Sequence, residues 1–439
     1  MINTNQVLLH WSGMPPEALE AQLEGPESAS LEALFGAQEV EEMRQAAAAP
    51  PTRAVGKRPY IVLLPGIMGS LLQSVEGIVD LLWVNPLVFA RGLVNRLELA
   101  EDGESNADPR VKVVATGLEL VSYAKAALTL RKQAHLFLFP YDWRLDIRTS
   151  AGALRQALNR WAAGLVQEIR GERPRFTLVG HSMGGLVSRT YLALFPEEAE
   201  QLVERVILLG SPAYGATNAV ETLARGNDLM QLAHRLNAGN QGERLVRAIT
   251  ALYQLLPPPR ELFPADRPYP CDFDLYDAAA WQRPGIRQNG LNRSKALHYL
   301  LARADPQVEI IQIAGYNLAT LVGLHGTPDA LQPAVVAQGA NSGDGTVPLW
   351  SATLPGATMY YVRLPHDRLQ RDPQVLQAVL DLAHGGKADL AQQMEPDRGP
   401  VIAARPPISD LDAEAARLRE AIEAGRVTAD DVAELRLLF

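Results

Sequence analysis

The sequence predicts an α/β fold in which a mainly parallel sheet is flanked by helices. Short apolar runs rich in β-branched and aromatic residues alternate with longer helical patterns along the middle of the chain. Most of these runs lack polar–apolar alternation, as expected of strands that are buried on both faces. The runs that predict strands are 60–64, 135–139, 176–179, 206–209, 308–314 and 359–364.

Helical patterns fill the intervals between these strands, notably at 150–170, 184–194 and 372–383. The interval over residues 213–304 is much longer than the others. Because an irregular loop of that length is uncommon in a compact domain, we predict that it is an inserted helical cap. The sheet domain is then expected in two parts, which are residues 56–212 and residues 305–389.

Composition restricts the class of protein. The chain has 439 residues, 47% of them hydrophobic, which is enough to bury a large core. A net charge of −9 argues against nucleic acid as a partner. Cys271 is the only cysteine, so an intrachain disulfide is excluded, and the N-terminal stretch lacks a signal-peptide pattern. We therefore expect a cytoplasmic protein, and the sequence predicts no cofactor and no metal site.

Two acidic flanks border the middle of the chain, which is close to neutral. Residues 1–55 and 390–439 are both net acidic, and each joins the middle through a stretch rich in proline and alanine that is typical of linkers. We expect both flanks to be helical extensions. Their predicted helices cover 28–48, 411–424 and 428–438.

A candidate nucleophile lies at Ser182, in the middle of a G-x-S-x-G pattern. A predicted strand precedes the pattern and a predicted helix follows it, as in the elbow that exposes a catalytic serine. Gly180 and Gly184 are expected to be required because a Cβ at either position would clash across the turn. His181 is expected to point away from the serine. The alternative is a glycine-rich turn that carries an uninvolved serine.

A serine nucleophile needs a base, and the base needs an orienting acid. In folds with this elbow the partners follow the serine in the order acid then histidine, each just after a strand. Asp344 lies between two glycines after the fifth predicted strand, and His366 follows the sixth. We therefore predict Ser182, Asp344 and His366 as the catalytic residues, with Asp142 and Asp367 as rival acids.

Ester cleavage also needs two N–H donors aimed at the developing oxyanion, each worth about 3–4 kcal/mol. The backbone N–H of Met183, the residue after the nucleophile, is the first candidate. The second is expected from the loop after the first strand, residues 65–70, and most directly from Ile67. The alternative is a tight turn whose glycines serve packing alone.

A further motif, PYDWR, directly follows the second predicted strand. It offers a charge pair between Asp142 and Arg144 beside the indole of Trp143. We interpret these three residues as structural support for the catalytic loops, and a direct role in the chemistry is the alternative.

Several motifs together resemble the lecithin:cholesterol acyltransferase family, which includes lysosomal phospholipases and bacterial relatives. They follow the family's order over residues 60–385: PGIMGS (65–70), WVNP (83–86), PYDWR (140–144), GHSMGG (180–185), LGSPAYG (209–215), NSGDGTVP (341–348) and PH (365–366). The resemblance implies an α/β-hydrolase fold and a serine lipase, phospholipase or acyltransferase that works through an acyl-enzyme. It supports the same catalytic residues and oxyanion donors, and it implies that the cap covers an acyl groove.

The resemblance also implies that residues 71–115 contribute a membrane-contacting subdomain. An apolar patch supports this expectation, with Leu82, Trp83 and Phe89 as candidate contacts. Tyr214, in the LGSPAYG motif, is a further candidate for contact with substrate or membrane. Ordinary packing beneath a lid is the alternative for the patch.

Three functions are open at this point. The leading hypothesis is a lipid acyl-ester hydrolase or O-acyltransferase with an acyl-serine intermediate. The second is an effector or interaction protein that has this fold and whose acidic flanks bind a partner protein. The third is an esterase that acts on small soluble acyl compounds.

Overall fold

The computed structural model of the protein describes residues 4–11, 14–25, 28–48, 58–75, 80–83, 85–168, 173–226, 228–394 and 410–434. The strands in chain order are β1 (Tyr60–Leu64), β2 (Ser70–Ser74), β3 (Asp80–Trp83), β4 (Val113–Leu118), β5 (His135–Leu138), β6 (Phe176–His181), β7 (Val203–Leu209), β8 (Glu309–Gly315), β9 (Thr320–His325), β10 (Gln332–Val336) and β11 (Thr358–Val362).

The helices in chain order are α1 (Thr4–Trp11), α2 (Pro16–Leu23), α3 (Ser28–Phe35), α4 (Ala37–Ala48), α5 (Pro86–Ala90), α6 (Leu120–Gln133), α7 (Ile147–Glu168), α8 (Met183–Leu194), α9 (Pro196–Leu202), α10 (Thr217–Arg225), α11 (Asp228–Leu236), α12 (Gly242–Ala248), α13 (Thr250–Tyr253), α14 (Gln288–Arg303), α15 (Leu349–Ala352), α16 (Pro373–Ala383), α17 (Leu411–Glu423) and α18 (Ala429–Glu434). Short 3₁₀ turns occur at Val94–Leu97, Arg260–Leu262, Ala278–Trp281 and His366–Arg368.

Six of the described strands form the central sheet, in the order β11-β8-β7-β6-β1-β5. Every neighbouring pair in it is parallel. These are the six strands that the sequence predicts, and helices cover both faces of the sheet. The predicted α/β-hydrolase fold is therefore confirmed.

Burial on both faces explains why the strands lack alternation. All five residues of β1 are buried. Tyr60, Val62 and Leu64 belong to one hydrophobic core, whereas Ile61 and Leu63 belong to a second core on the other face. Because successive side chains of a strand point to opposite faces, a strand between two cores must be apolar throughout.

Two smaller sheets were not predicted. Strands β2, β3 and β4 form an antiparallel sheet in the order β3-β2-β4, inside the predicted membrane-contacting subdomain. Strands β9 and β10 form an antiparallel hairpin that precedes Asp344. Most residues of β4 and β10 are partly or fully exposed, so their sequences lack the apolar runs that identify the central strands.

The predicted cap is largely helical, since the chain between β7 and β8 contains α10 to α14. The last of these helices, α14, packs against α13 and also against α8, the helix that follows Ser182. It leads directly into β8 of the central sheet.

The described parts of the flanks contain α1 to α4 and α17 and α18, and these parts pack on the rest of the chain. Helix α4 contacts α6, and α17 contacts α11. The predicted helix over residues 28–48 is divided in two, because Gly36 adopts a left-handed backbone conformation with φ of 84° between α3 and α4. Within the predicted helix 428–438, α18 covers the described part, and residues 435–439 lie outside the described residues.

Charge pairs join the acidic N-terminal flank to α6. The Lys125 ammonium contacts the Glu39 carboxylate at 3.0 Å and also contacts Glu42. One turn or more further along α6, Arg131 and Lys132 both pair with Glu20. The acidic residues of this flank are thus partly neutralised within the chain.

None of the described helices is long and apolar enough to cross a membrane.

We expect Lys125→Ala to lower the free energy of unfolding by about 1–2 kcal/mol. The substitution leaves Glu39 and Glu42 without the ammonium group they share, at a lysine side chain that is 9% exposed. The measurement is urea unfolding, with the exposed Lys112→Ala as the control. An equal unfolding midpoint for the two variants would show that these pairs contribute nothing to docking of the flank.

Candidate active site

Ser182 lies at a strained turn between β6 and α8. Its backbone has φ of 52° and ψ of −124°, a conformation that non-glycine residues seldom adopt. Its N–H donates to the Leu209 carbonyl at 2.9 Å. A Cβ at Gly180 would lie 2.6 Å from the Gly185 nitrogen, and one at Gly184 would lie 2.5 Å from the Leu64 oxygen. The predicted elbow is present, and it requires both glycines.

Asp344 and His366 are joined by a hydrogen bond at the same edge of the sheet. The His366 Nδ1 to Asp344 Oδ2 distance is 2.7 Å. Asp344 is 1% exposed, and its other carboxylate oxygen accepts the N–H groups of Thr346 at 3.0 Å and Val347 at 2.7 Å. The backbone N–H of His366 also donates a hydrogen bond to the backbone carbonyl of Asp344 at 2.9 Å. The carboxylate is therefore fixed in orientation before it meets the imidazole.

Two opposing effects set the protonation of His366. Burial disfavours the imidazolium, but the negative charge of Asp344 and its hydrogen bond favour it. The second pair of effects prevails, so the pKa of His366 is raised above its ordinary value of 6.5. An imidazole in this setting holds a proton more readily than an exposed one.

Gly210 lies against the Asp344–His366 pair and directly follows the residue whose carbonyl accepts the Ser182 N–H. Leu209 accepts the Ser182 N–H, and the next residue, Gly210, has φ of 56°. A Cβ at Gly210 would lie 3.0 Å from Asp344 Oδ2 and 3.1 Å from His366 Nδ1. The three predicted catalytic residues therefore all lie next to Leu209 or Gly210.

The loop after β1 packs closely against Ser182, the candidate nucleophile. A Cβ at Gly66 would lie 3.0 Å from the Ser182 Cβ. The loop turns sharply, since Gly69 donates to the Gly66 carbonyl at 3.0 Å and Met68 has φ of 61°. Ile67 lies inside this turn, partly exposed, and Met183 is buried at the first position of α8. Both candidate oxyanion donors thus lie beside the elbow.

Three aromatic side chains donate hydrogen bonds to carbonyls of this loop. The Tyr141 hydroxyl donates to Pro65 at 2.7 Å, and the Trp143 indole N–H donates to Ser70 at 3.1 Å. The Trp83 indole N–H donates to the Met68 carbonyl at 2.8 Å. Three side-chain hydrogen bonds therefore fix the backbone of the loop at residues 65–70.

The position of Trp83 corrects an expectation. Leu82, Trp83 and Phe89, the candidate membrane contacts, are at most 2% exposed. In this conformation they pack in the interior, as the alternative interpretation held, because the indole N–H and the apolar faces are both used inside the protein. Tyr214 is half-buried in the turn after β7, and its N–H donates to the Ser351 hydroxyl at 3.1 Å.

The charged side chains of the motif PYDWR bond to each other and to the backbone. Arg144 is 1% exposed and donates two hydrogen bonds to the Asp142 carboxylate, at 2.9 Å from Nε and 2.6 Å from Nη2. Its remaining nitrogen donates to the Leu97 carbonyl at 2.9 Å. Since Asp142 is bound to Arg144, and the rival acid Asp367 contacts Arg371 at 3.3 Å, Asp344 is the carboxylate bonded to the His366 ring.

Two buried residues that the sequence analysis did not select also contact the site. Tyr123 on α6 bonds the N–H of Gly66, and His181 bonds the carbonyl of His366. The adjacency of His181 to the nucleophile was a signal for its position. Tyr123 carries no comparable signal, because an aromatic residue on an amphipathic helix is usually a core residue.

Two cavities lie in or near the predicted cap. A cavity of about 940 Å³ lies on the polar side of the cap, lined by residues such as Arg244 and Arg287, and none of the predicted site residues lines it. A much smaller apolar cavity, of about 30 Å³, is bordered by Met68, Trp83 and Ile249. Among the described residues no cluster of His, Cys, Asp or Glu is arranged to hold a metal ion.

Comparison with known proteins agrees with the motifs. Residues 119–280 match the sequence profile of the lecithin:cholesterol acyltransferase family. Lecithin-cholesterol acyltransferase-like 4 of Arabidopsis thaliana is 24% identical over 200 residues, which cover 38% of this chain and 36% of that protein. This chain therefore matches about a third of the length of its curated relative.

Solved structures also share the general architecture. The Tle4–Tli4 complex contains a chain that is 15% identical, with a TM-score of 0.49 and coverage of 75% of this chain and 98% of the other. The mature lipase BlEst2 of Bacillus licheniformis is 15% identical, with a TM-score of 0.40 and coverage of 76% and 95%. Likeness at this level carries no argument about function.

Fold and site together define the class of the protein, which is that of the α/β hydrolases with a serine elbow. Within that class, the predicted resemblance to the lecithin:cholesterol acyltransferase family is confirmed over residues 119–280. That stretch includes Asp142 and Ser182 but ends before Asp344 and His366.

We expect Gly210→Ala to disrupt the Asp344–His366 hydrogen bond and to lower stability by about 1–3 kcal/mol. The added methyl group would lie 2.6 Å from the Leu369 Cδ1, in addition to its approach to Asp344 and His366. Urea unfolding and the proton NMR signal of the His366 Nδ1–H measure the two effects.

The control for this prediction is Gly356→Ala. Gly356 has φ of 81°, but a Cβ there would meet no atom within 4 Å, so the variant isolates backbone strain from crowding. If both variants keep the His366 signal, contact with the methyl group does not disturb the pair.

Proposed function

We propose that the protein is a serine-dependent lipid acyl-ester hydrolase or O-acyltransferase, with Ser182, Asp344 and His366 as its catalytic residues. The observation that carries the proposal is the buried Asp344–His366 hydrogen bond of 2.7 Å, beside the strained turn that presents Ser182. Both features are costly in isolation, and a strained serine next to an oriented imidazole is what nucleophilic catalysis requires.

In the proposed reaction the Ser182 Oγ attacks the ester carbonyl carbon while the His366 Nε2 accepts the hydroxyl proton. The Asp344 carboxylate stabilises the resulting imidazolium, and the N–H groups of Ile67 and Met183 donate to the oxyanion. The carbon–oxygen bond of the ester then breaks, and the alcohol leaves with the proton from His366. Water or a second alcohol takes the acyl group in a reversal of these steps.

Two observations support a lipid as the acyl donor. The first is the family match over residues 119–280. The second is the apolar cavity bordered by Met68, next to the proposed oxyanion donor Ile67. At about 30 Å³ this cavity is too small for an acyl chain, so we infer that α11 and α12 move away from the loop when substrate binds.

Membrane contact is proposed only for such an opened state. Leu82, Trp83 and Phe89 are buried beneath the cap here and would become accessible on its displacement. Tyr214, at the carboxyl end of β7, is proposed to contact substrate at the rim of the site.

The acidic flanks support an intramolecular role more than a recruiting one. Carboxylates of Glu20, Glu39 and Glu42 pair with bases of α6, and Asp412 on α17 pairs with Arg235 of the cap at 2.8 Å. These groups are already in use, which weakens the hypothesis that the flanks bind a partner protein.

We expect a fluorophosphonate probe to label the wild-type protein and to leave Ser182→Ala unlabelled. Incubation with phospholipid and neutral-lipid vesicles should release or transfer fatty acid with the wild type alone. Labelling and lipid products are both read by mass spectrometry. The control is Ser188→Ala, which removes a buried hydroxyl of α8 that donates to the Gly184 carbonyl at 2.9 Å.

Equal labelling of wild type and Ser182→Ala would refute the nucleophile. Labelling of the wild type without any lipid product would refute the substrate class and favour the esterase alternative.

The kcat/KM of the wild type should fall as the pH decreases through the pKa of His366, because only the neutral imidazole accepts the Ser182 proton. This pKa is raised, so the midpoint lies above 6.5. Asp344→Asn removes the charge and the charged hydrogen bond that do most to raise the pKa of His366, and it leaves burial, which lowers this pKa, together with the smaller raising effect of the Asp367 charge. The midpoint should therefore move to lower pH, and kcat should fall by about 10⁴-fold.

The raised pKa of His366 also makes the stability of the fold depend on pH, but stability falls as the pH rises whereas activity increases. Protonated His366 stabilises the fold fully below its unfolded-state pKa, and this contribution is lost as the pH rises through the raised folded-state pKa. The control variant is Asp367→Asn, at the rival acid. A loss of activity in Asp367→Asn that matched the loss in Asp344→Asn would overturn the assignment of the acid.

A further inference from the structure

A continuous chain of three hydrogen bonds, two of them buried and the third partly buried, connects the two sides of the proposed active site. The Gly66 N–H donates to the Tyr123 hydroxyl oxygen at 2.8 Å. That oxygen lies 2.9 Å from His181 Nδ1, and His181 Nε2 lies 3.1 Å from the His366 carbonyl oxygen. Tyr123 is 1% exposed and His181 is 5% exposed, so water competes little for these bonds.

The donors and acceptors of this chain have a consistent order. A carbonyl oxygen only accepts, so the His181 Nε2 must carry the proton that bonds His366. In neutral His181 the Nδ1 is then an acceptor, and the Tyr123 hydroxyl donates to it. The Tyr123 oxygen in turn accepts from Gly66, whose N–H can only donate. His181 cannot serve as a base in this arrangement, because its lone pair is occupied.

The hydrogen-bond chain contacts both the proposed oxyanion loop and the proposed base, His366. At one end, Gly66 precedes Ile67, the proposed oxyanion donor, and packs on Ser182. At the other end, the rings of His181 and His366 are also in contact, with centroids 4.8 Å apart. His181 is itself the residue before the nucleophile, so a displacement of its ring would affect all three groups.

We propose that Tyr123 and His181 are positioning residues that hold the oxyanion loop and His366 in register on either side of Ser182. The inference rests on the proposed function. It assigns the two residues no contact with substrate. Their role is to fix distances, and a misplacement of about 1 Å in a catalytic group can cost about 10²-fold in rate.

The test compares the kcat and KM of full-length variants with a p-nitrophenyl acyl ester as substrate. Tyr123→Phe removes the bonds to Gly66 and His181 while it keeps the ring. We expect kcat to fall about tenfold with KM within about twofold of the wild type. His181→Leu should cost as much or more. The double variant should lose no more than His181→Leu alone, because the two residues act through one chain.

A conservative variant separates positioning from packing. His181→Gln retains an N–H donor near the position of Nε2, so it should recover part of the kcat that His181→Leu loses. Two controls remove similar groups elsewhere. Tyr191→Phe removes a buried hydroxyl that lies 3.4 Å from Glu198, and His298→Leu removes a buried imidazole bonded to the Leu256 carbonyl at 2.9 Å.

The outcomes distinguish this inference from the proposed function. If the wild type takes the fluorophosphonate label at Ser182 and Tyr123→Phe keeps the wild-type kcat, the inference fails and the function stands. Losses that multiply in the double variant, or equal losses in the two controls, would also overturn it. If the wild type is not labelled, the proposed function itself fails. Circular dichroism of each variant establishes that it is folded, and Tyr123→Phe remains decisive if His181→Leu does not fold.

Discussion

The hydrogen bond between Asp344 and His366 is the contact around which the rest of the site is arranged. It joins the segment that follows the β9–β10 hairpin, where Asp344 lies, to the loop that follows β11, where His366 lies. A Cβ at Gly315 would lie 2.5 Å from the Asp344 Cβ, and one at Gly210 would approach the bond itself. Glycine at the ends of β7 and β8 therefore allows a carboxylate and an imidazole to lie against the sheet edge.

The fold was predictable to the extent that burial leaves a pattern in the sequence. The six central strands lie between two hydrophobic cores, so each is a short, nearly continuous apolar run. Most residues of strands β4 and β10 are partly or fully exposed, and β10 contains Pro333, so neither strand produces such a run. The break at Gly36 depends on a left-handed backbone conformation, and the packing of α14 on α8 is a tertiary contact, so hydrophobic periodicity predicts neither.

In the candidate site, too, the residues that a local sequence pattern marks were predictable, and those defined by tertiary contacts were not. Ser182 follows from a local turn that only certain residues permit, and Asp344 and His366 follow from their places after strands. The contact of Tyr123 with Gly66 spans 57 positions of the chain, and nothing in the α6 pattern distinguishes this tyrosine from its apolar neighbours. Trp83 was expected at a membrane because its segment is apolar. Its indole N–H instead bonds Met68, a use that composition does not reveal.

Helix α6 has two occupied faces, and this has a mechanical consequence. Residues two positions apart on a helix point in directions about 200° apart, so Tyr123 faces the loop at Gly66 while Lys125 faces the acidic flank. The N–H of Glu119, just before the helix, also donates to the Gly69 carbonyl at 3.0 Å. Helix α6 therefore connects the N-terminal flank to the loop that carries the proposed oxyanion donor Ile67. A force on the flank would be transmitted through the helix to that loop.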